Sequence, residues 1–217
     1  MSKNLKISLA LALVVLAVVG TLLAVKGTKD DKPESATAQS EMLMRADSHK
    51  LSSAPDGKVT VVEFLDLECE ACGAAFPVVE RLRKEYEGRV TFVMRYFPIP
   101  SHRNAELAAK AVEAAGAQGK LEPMYTKMYE TQKEWGDQQV SHEETFRAFA
   151  RELGLDMPKF EQDWKSPATA ERVDRDRRDG LALGVQGTPT FFLNGERLKV
   201  GSYEQFKAAL DNALAAP

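Results

Sequence analysis

The chain has very little cysteine and histidine: two Cys and three His in 217 residues. Two cysteines cannot staple a small disulfide-dependent fold, nor supply a four-cysteine zinc or iron–sulfur site from one chain. Any sulfur chemistry must come from that one pair. An excess of positive charge is also lacking, since 29 Lys and Arg face 32 Asp and Glu for a formal net charge of -3. Polyanion binding normally shows as a basic domain or stripe, so nucleic acid is not an expected partner. Nor is there length for several domains; 217 residues hold one medium domain and an appendage. Apolar sequence is not scarce, at 44% of the chain, and it is unevenly distributed.

Residues 7–25, ISLALALVVLAVVGTLLAV, run without a charge between Lys3 and Lys6 on one side and Lys26 on the other. As a helix this run would reach roughly 28 Å, close to the thickness of a hydrocarbon core. The competing reading is a cleaved signal peptide, whose apolar core is about 7–15 residues and ends near a small-x-small site. Here the core is longer, the nearest such site is the distant Ala36-Thr37-Ala38, and no cysteine follows that could be lipidated. Residues 1–25 are therefore expected to be an uncleaved signal anchor, one N-terminal transmembrane helix. Basic residues on both flanks leave its orientation open. Residues 26–44, rich in Ser, Thr, Lys and Asp, read as a flexible linker, and 45–217 as the compact domain.

Within that domain, residues 58–65 (KVTVVEFL) are a β-branched run after the turn residues Pro55, Asp56 and Gly57, which predicts a buried strand. Ala75, Phe76, Val79, Leu82 and Tyr86 recur at helical spacing, so a helix follows at 72–86, with Pro77 inside it. Residues 89–97 form a second strand, completing a βαβ unit with parallel strands. Residues 102–183 contain no convincing strand. Helices are expected at 105–117, 121–132, 143–153 with a capping box at 141–144, and 168–183 broken by Gly180. A third strand at 190–193 meets Asn194-Gly195, a strong hairpin signal, and a fourth follows at 197–200. Ser202 then caps a final helix. The order is βαβ, a helical insertion, then ββα.

Cys69-Glu70-Ala71-Cys72 carries the chemistry. A strand ending just before C-x-x-C puts the first thiol at a helix N-terminus, where unpaired N–H groups stabilise a thiolate. The Cys69 thiolate can then attack a disulfide, with Cys72 resolving the mixed disulfide. Two other uses of the pair stay open. A zinc site would recruit two of His49, His102 and His142, and a structural disulfide would close a loop too short to add much stability. The alternating charges at 171–179 (ERVDRDRRD) read as a solvated helix face. Trp135 and Trp164 read as packing residues, and His102 as either an active-site neighbour or a capping or solvated residue.

Glu63 lies six positions before Cys69, Pro77 five after Cys72, and Gly187-Thr188-Pro189-Thr190 far downstream. With the helical insertion, these features resemble a DsbA-type thiol-disulfide oxidoreductase of the thioredoxin superfamily, in its membrane-anchored bacterial branch. The resemblance covers about residues 45–215. It implies a thioredoxin-like α/β fold and protein dithiol–disulfide exchange by Cys69 and Cys72. Glu63 would be a buried proton acceptor for Cys72, and Thr188 with a cis Pro189 would bind substrate. No cofactor or metal is implied. The implied partners are unfolded or cysteine-containing secreted proteins and a membrane quinone-linked redox partner of the DsbB or vitamin K epoxide reductase type. The catalytic domain would face the extracytoplasmic side of the cell membrane, where disulfides persist. Oxidation is the expected direction; a reductase of the same compartment and a noncatalytic peptide-binding module are the alternatives. Strongly oxidising members place Pro and His between the cysteines. Here Glu70 and Ala71 stand there, with Asp66 and Glu68 nearby, so these acids are expected to raise the Cys69 pKa and weaken the oxidant.

Overall fold

The structure, a computed structural model, describes residues 33–216. The expected anchor at 1–25 and the first part of the linker lie outside the described residues. Among the described residues no helix is long and apolar enough to cross a membrane. A compact unit begins at Gln39.

The second part of the expected flexible linker is instead a helix, α1 (Pro33–Leu43). Its C-terminal end is tied into the compact unit: Leu43 is buried, and the Met42 and Leu43 carbonyls accept hydrogen bonds from Arg95 at 2.7 and 2.8 Å. Polar composition misled here because one buried leucine and two carbonyls suffice to dock the end of a helix.

The centre of the fold is a five-stranded mixed sheet in the order β1-β3-β2-β4-β5. Strand β2 (Thr60–Leu65) and β3 (Thr91–Tyr96) are parallel and joined by α2 (Glu70–Glu85), the expected βαβ unit. Strand β4 (Thr190–Leu193) runs antiparallel to β2, and β5 (Glu196–Leu198) antiparallel to β4. Between them Asn194 and Gly195 take φ of 48° and 93°, the left-handed pair that a two-residue hairpin requires. The sequence pattern did not reveal β1 (His49–Ser52), which pairs antiparallel with β3 through an irregular register between Lys50 and Ser52. Its HKLS sequence has no apolar alternation to betray it.

Between β3 and β4 lie α3 (Ala105–Gly116), α4 (Leu121–Glu130), the short α5 (Gln132–Trp135), α6 (Glu143–Glu152), α7 (Met157–Trp164) and α8 (Pro167–Ala182). The expected insertion is thus all helical. Its core joins the alanine face of α3 to Met124, Tyr125, Met128, Trp135, Phe146, Phe160 and Trp164, and reaches Cys72 on α2. Both tryptophans are packing residues, as expected. Helix α9 (Tyr203–Ala215) closes the chain, with Ser202 accepting from the Gln205 amide.

Three local expectations fail for physical reasons. Gly180 does not break α8: a Cβ there would stand 2.7 Å from a Phe97 ring carbon, so the missing side chain admits the aromatic neighbours of the sheet. The capping box at 141–144 does not form: α6 begins one residue late, with His142 at its N-cap, and the Ser141 hydroxyl accepts from the Glu143 amide at 3.4 Å in place of the Glu144 amide. Residues 171–179 are not a wholly solvated face. Arg172, Asp176 and Asp179 recur at helical spacing and turn inward, where Asp176 and Asp179 hold the fully buried Arg95 at 2.8 and 2.5 Å.

Candidate active site

Strand β2 delivers the chain into the segment 66–68, and Cys69 then takes an extended conformation (φ -67°, ψ 120°) as the N-cap of α2. The geometry follows from a strand meeting a helix without a side-chain cap, which leaves the first-turn N–H groups for the Cys69 sulfur. The Cys69 thiol is half-buried and Cys72, one turn in, is 1% exposed. The two sulfurs are therefore unequal. The hydrogen bond from the Cys72 thiol, helped by Thr188 and by the Cys72 and Ala71 amides, outweighs desolvation and lowers the Cys69 pKa to about 5. Burial pushes Cys72 the opposite way, well above its ordinary value. One thiol is poised as a thiolate near neutral pH and the other holds its proton.

This corrects the expectation that nearby acids raise the Cys69 pKa. Asp66 is buried with its carboxylate accepting from the Glu68 and Ile99 amides, each at 2.8 Å, and meeting His102 Nδ1 at 2.7 Å. Glu68 is buried on the Asn104 amide at 2.6 Å, and Glu70 is exposed to solvent. These charges serve loop amides or water, and none of them governs the Cys69 sulfur.

Glu63 is 6% exposed on β2, and its carboxyl has no hydrogen bond or ion pair among the described residues. Burial, with the charge of Glu80 adding to it, pushes its pKa up to about 8. An ionised Glu63 in turn raises the Cys72 pKa. From the other end of the fold, the Thr188–Pro189 peptide bond is cis and the Thr188 carbonyl accepts from the Cys69 thiol at 3.4 Å. The structure thus brings Cys69, Cys72 and Thr188 into contact, with Pro189 adjoining and Glu63 electrostatically coupled to Cys72.

Sequence reasoning did not single out the insertion residues that hold this loop. Tyr129 Oη donates to the Asp66 carbonyl at 3.3 Å, and Gln132 Nε2 donates to the Leu67 and Cys69 carbonyls at 2.7 and 2.9 Å. No periodicity or motif marks a glutamine in such a role. The histidines considered as zinc partners are engaged elsewhere: His49 with Glu113 at 2.6 Å, His102 with Asp66, and His142 with Thr145 and Gln138.

A family model described as thioredoxin matches residues 52–212. Among solved structures, a thioredoxin-like oxidoreductase from Silicibacter pomeroyi DSS-3 is 28% identical with a TM-score of 0.69, covering 82% of this chain and 98% of that one. BdbD from Bacillus subtilis is 21% identical with a TM-score of 0.68, covering 78% and 94%. The alpha-DsbA1 protein of Wolbachia pipientis is 16% identical with a TM-score of 0.72, covering 82% and 96%. Among curated proteins, the Na(+)/H(+) antiporter NhaA of Herminiimonas arsenicoxydans is 37% identical over 149 residues, 69% of this chain and 22% of that protein. NhaA 1 of Mycobacterium sp. (strain KMS) is 34% identical over 167 residues, 75% and 25%. The match therefore spans about a quarter of the length of these antiporters. Fold, family model and structural likeness agree: the chain belongs to the thioredoxin family and shares its fold with the DsbA-type proteins.

Proposed function

We propose that this protein is a thiol-disulfide oxidoreductase that oxidises cysteine pairs in other proteins through Cys69 and Cys72. The observation that carries this reading is the opposed ionisation of the two thiols at a strand-to-helix junction facing Thr188 and Pro189. A client thiolate attacks Cys69 Sγ of the oxidised enzyme, breaking the Cys69–Cys72 bond and forming a mixed disulfide. The Cys72 thiolate that leaves takes a proton, and Glu63 is the buried group able to exchange it. The second client thiolate then attacks the client sulfur and expels Cys69 as a thiolate. The client loses two electrons and the enzyme dithiol gains them. A quinone-linked membrane oxidant of the DsbB or vitamin K epoxide reductase type would return the enzyme to the disulfide.

The low Cys69 pKa favours the oxidative direction, because stabilising the thiolate stabilises the reduced enzyme. An open pocket of about 470 Å³ beside Pro189, lined by Phe191, Arg197 and Leu198 among others, offers room for an extended client segment. We further propose that residues 7–25, an uncharged apolar run long enough to span a hydrocarbon core as a helix, anchor the domain on the extracytoplasmic side of a membrane. Antiport itself is not carried over to this chain.

The test is refolding of reduced RNase by the oxidised protein, with insulin reduction run beside it and Cys69→Ser as the control. Disulfide formation that vanishes in the serine variant is expected; persistence of turnover in Cys69→Ser would sink the reading. Equilibration with glutathione then decides direction. A Cys69 pKa near 5 lies between about 3.5 for DsbA and about 7 for thioredoxin. The reduction potential is expected between about -120 and -270 mV, and a value at or below the lower bound would make the protein a reductase.

A further inference from the structure

The segment from Asp66 to Cys69 is held by the helical insertion through its main chain. Gln132, buried on α5, donates both N–H groups of its carboxamide, one to the Leu67 carbonyl at 2.7 Å and one to the Cys69 carbonyl at 2.9 Å. The Cys69 carbonyl is also the acceptor of the first helical hydrogen bond of α2, from the Gly73 amide at 3.0 Å. One side chain thus fixes the Leu67–Glu68 peptide plane and the Cys69–Glu70 plane that begins the catalytic helix.

Gly73 has a matching peculiarity. A Cβ at that position would overlap the Gln132 carboxamide oxygen and stand 2.8 Å from its Cδ. Gly73 lies inside α2 with no left-handed backbone to require glycine, and alanine would be the better helix former there by about 1 kcal/mol. The missing side chain is explained by the glutamine that occupies its place. Gly136 adds a third part: its amide closes on the Gln132 carbonyl at 2.7 Å, and a Cβ there would stand 2.9 Å from the same oxygen. The backbone of Gln132 is held as closely as its side chain.

We propose that Gln132 is a positioning residue of the dithiol site: its carboxamide, admitted by Gly73, orients the Cys69 peptide so that the first-turn amides of α2 face the Cys69 sulfur. The inference rests on the thiol-disulfide reading of Cys69 and Cys72. Its physical basis is that amide N–H groups stabilise a sulfur anion only when aimed at it, and the aim is set by the peptide plane that Gln132 grips. The helical insertion therefore tunes the reactivity of a cysteine that belongs to the βαβ unit.

The experiment measures the pH dependence of Cys69 alkylation by iodoacetamide in the reduced full chain, a readout that needs neither client nor turnover. In Gln132→Leu the midpoint is expected to rise by about one pH unit, a loss of about tenfold in rate below the midpoint. Gln132→Glu keeps the size of the side chain but as a carboxylate has no donor, and its midpoint is expected to rise as well. Gly73→Ala displaces the glutamine and should reproduce the rise, whereas adding Gly73→Ala to Gln132→Ala should change nothing further. A purely structural glutamine would lower the melting temperature without moving the midpoint. An unchanged midpoint in either folded Gln132 variant, or additive shifts in the double variant, would overturn the assignment. Absence of exchange activity in the unmodified protein would instead overturn the oxidoreductase reading, leaving the alkylation midpoints to decide the role of Gln132.

Discussion

Two buried ionisable sites lie back to back on the same pair of strands. Glu63 pairs in register with Met94, while the next residue, Phe64, pairs with Arg95, so the acid and the arginine point to opposite faces of the sheet. Arg95 is 0% exposed and its charge is answered: Asp176 and Asp179 flank one terminal nitrogen of its guanidinium, and the Met42 and Leu43 carbonyls accept from the other. Asp179 is in turn shared with Arg45 at 2.6 Å, and Asp176 with Arg172. Glu63, almost as deeply buried, has no answering charge or hydrogen bond among the described residues, and only its raised pKa lets it stay neutral. A buried charge met by opposite charge holds segments together, here α1, β3 and α8. A buried titratable group left without a partner can gain or lose a proton at a useful pH, which is what a dithiol site requires.

The contrast predicts effects of different kind and size. Largest is Arg95→Met, which strands Asp176 and Asp179 without their buried cation and should cost about 3–5 kcal/mol in denaturant unfolding, while the Cys69 alkylation midpoint of the folded protein stays put. If the loss were near zero, the network would not be the structural half of the comparison.

Glu63→Gln should do the reverse. The folded-state pKa of Glu63 lies above its unfolded value, so its contribution is fully present below about pH 4.5 and is lost as pH rises to about 8. Glutamine removes that slope, so the stability of the variant relative to the wild type should climb as pH rises from about 4.5 to about 8 and level off by about pH 9. Turnover should fall at the same time. A variant that is destabilised at pH 9 would show that Glu63 has a partner after all.

Redox state gives a subtler test. The Cys69 pKa is depressed in the folded reduced protein, so the stability it lends is present above about pH 9 and is lost as pH falls toward 5. The melting temperature of the reduced form, relative to the oxidised, should rise with pH across that window, and the melting temperature of Cys69→Ser should lack the pH-dependent gain that the reduced wild type shows there. A gap independent of pH would contradict the thiolate assignment. Smallest is Asp163→Ala, which breaks the exposed pair with Lys159 at 2.7 Å and should alter stability by no more than about 0.5 kcal/mol. That change marks the floor against which both buried sites are judged.

Much of the molecule was legible before any coordinates. The β-branched run at 58–65, the Asn-Gly hairpin and the Ser202 cap each carry a local reason for their structure, and each formed within a few residues of its expected place. Strand β1 was illegible because edge pairing to β3 supplies what its own composition lacks. The inward turn of Asp176 and Asp179 was hidden because charged residues at helical spacing look the same whether they face water or a buried arginine. The same blindness produced the reversed expectation for Cys69: Asp66 and Glu68 are near it in sequence, but their carboxylates are spent on the amides of Glu68, Ile99 and Asn104 and on His102.

The amino-acid sequence alone determined the order of elements and the placing of one cysteine pair at a strand-to-helix junction, because periodicity, turn chemistry and motif spacing are local properties of the chain. Tertiary structure alone decided which thiol ionises, which buried acid is left unpaired, and that Thr188 and Gln132 reach the Cys69 turn from far along the chain. Those outcomes depend on desolvation and on the direction of individual N–H groups, and both are set only when distant segments pack against one another.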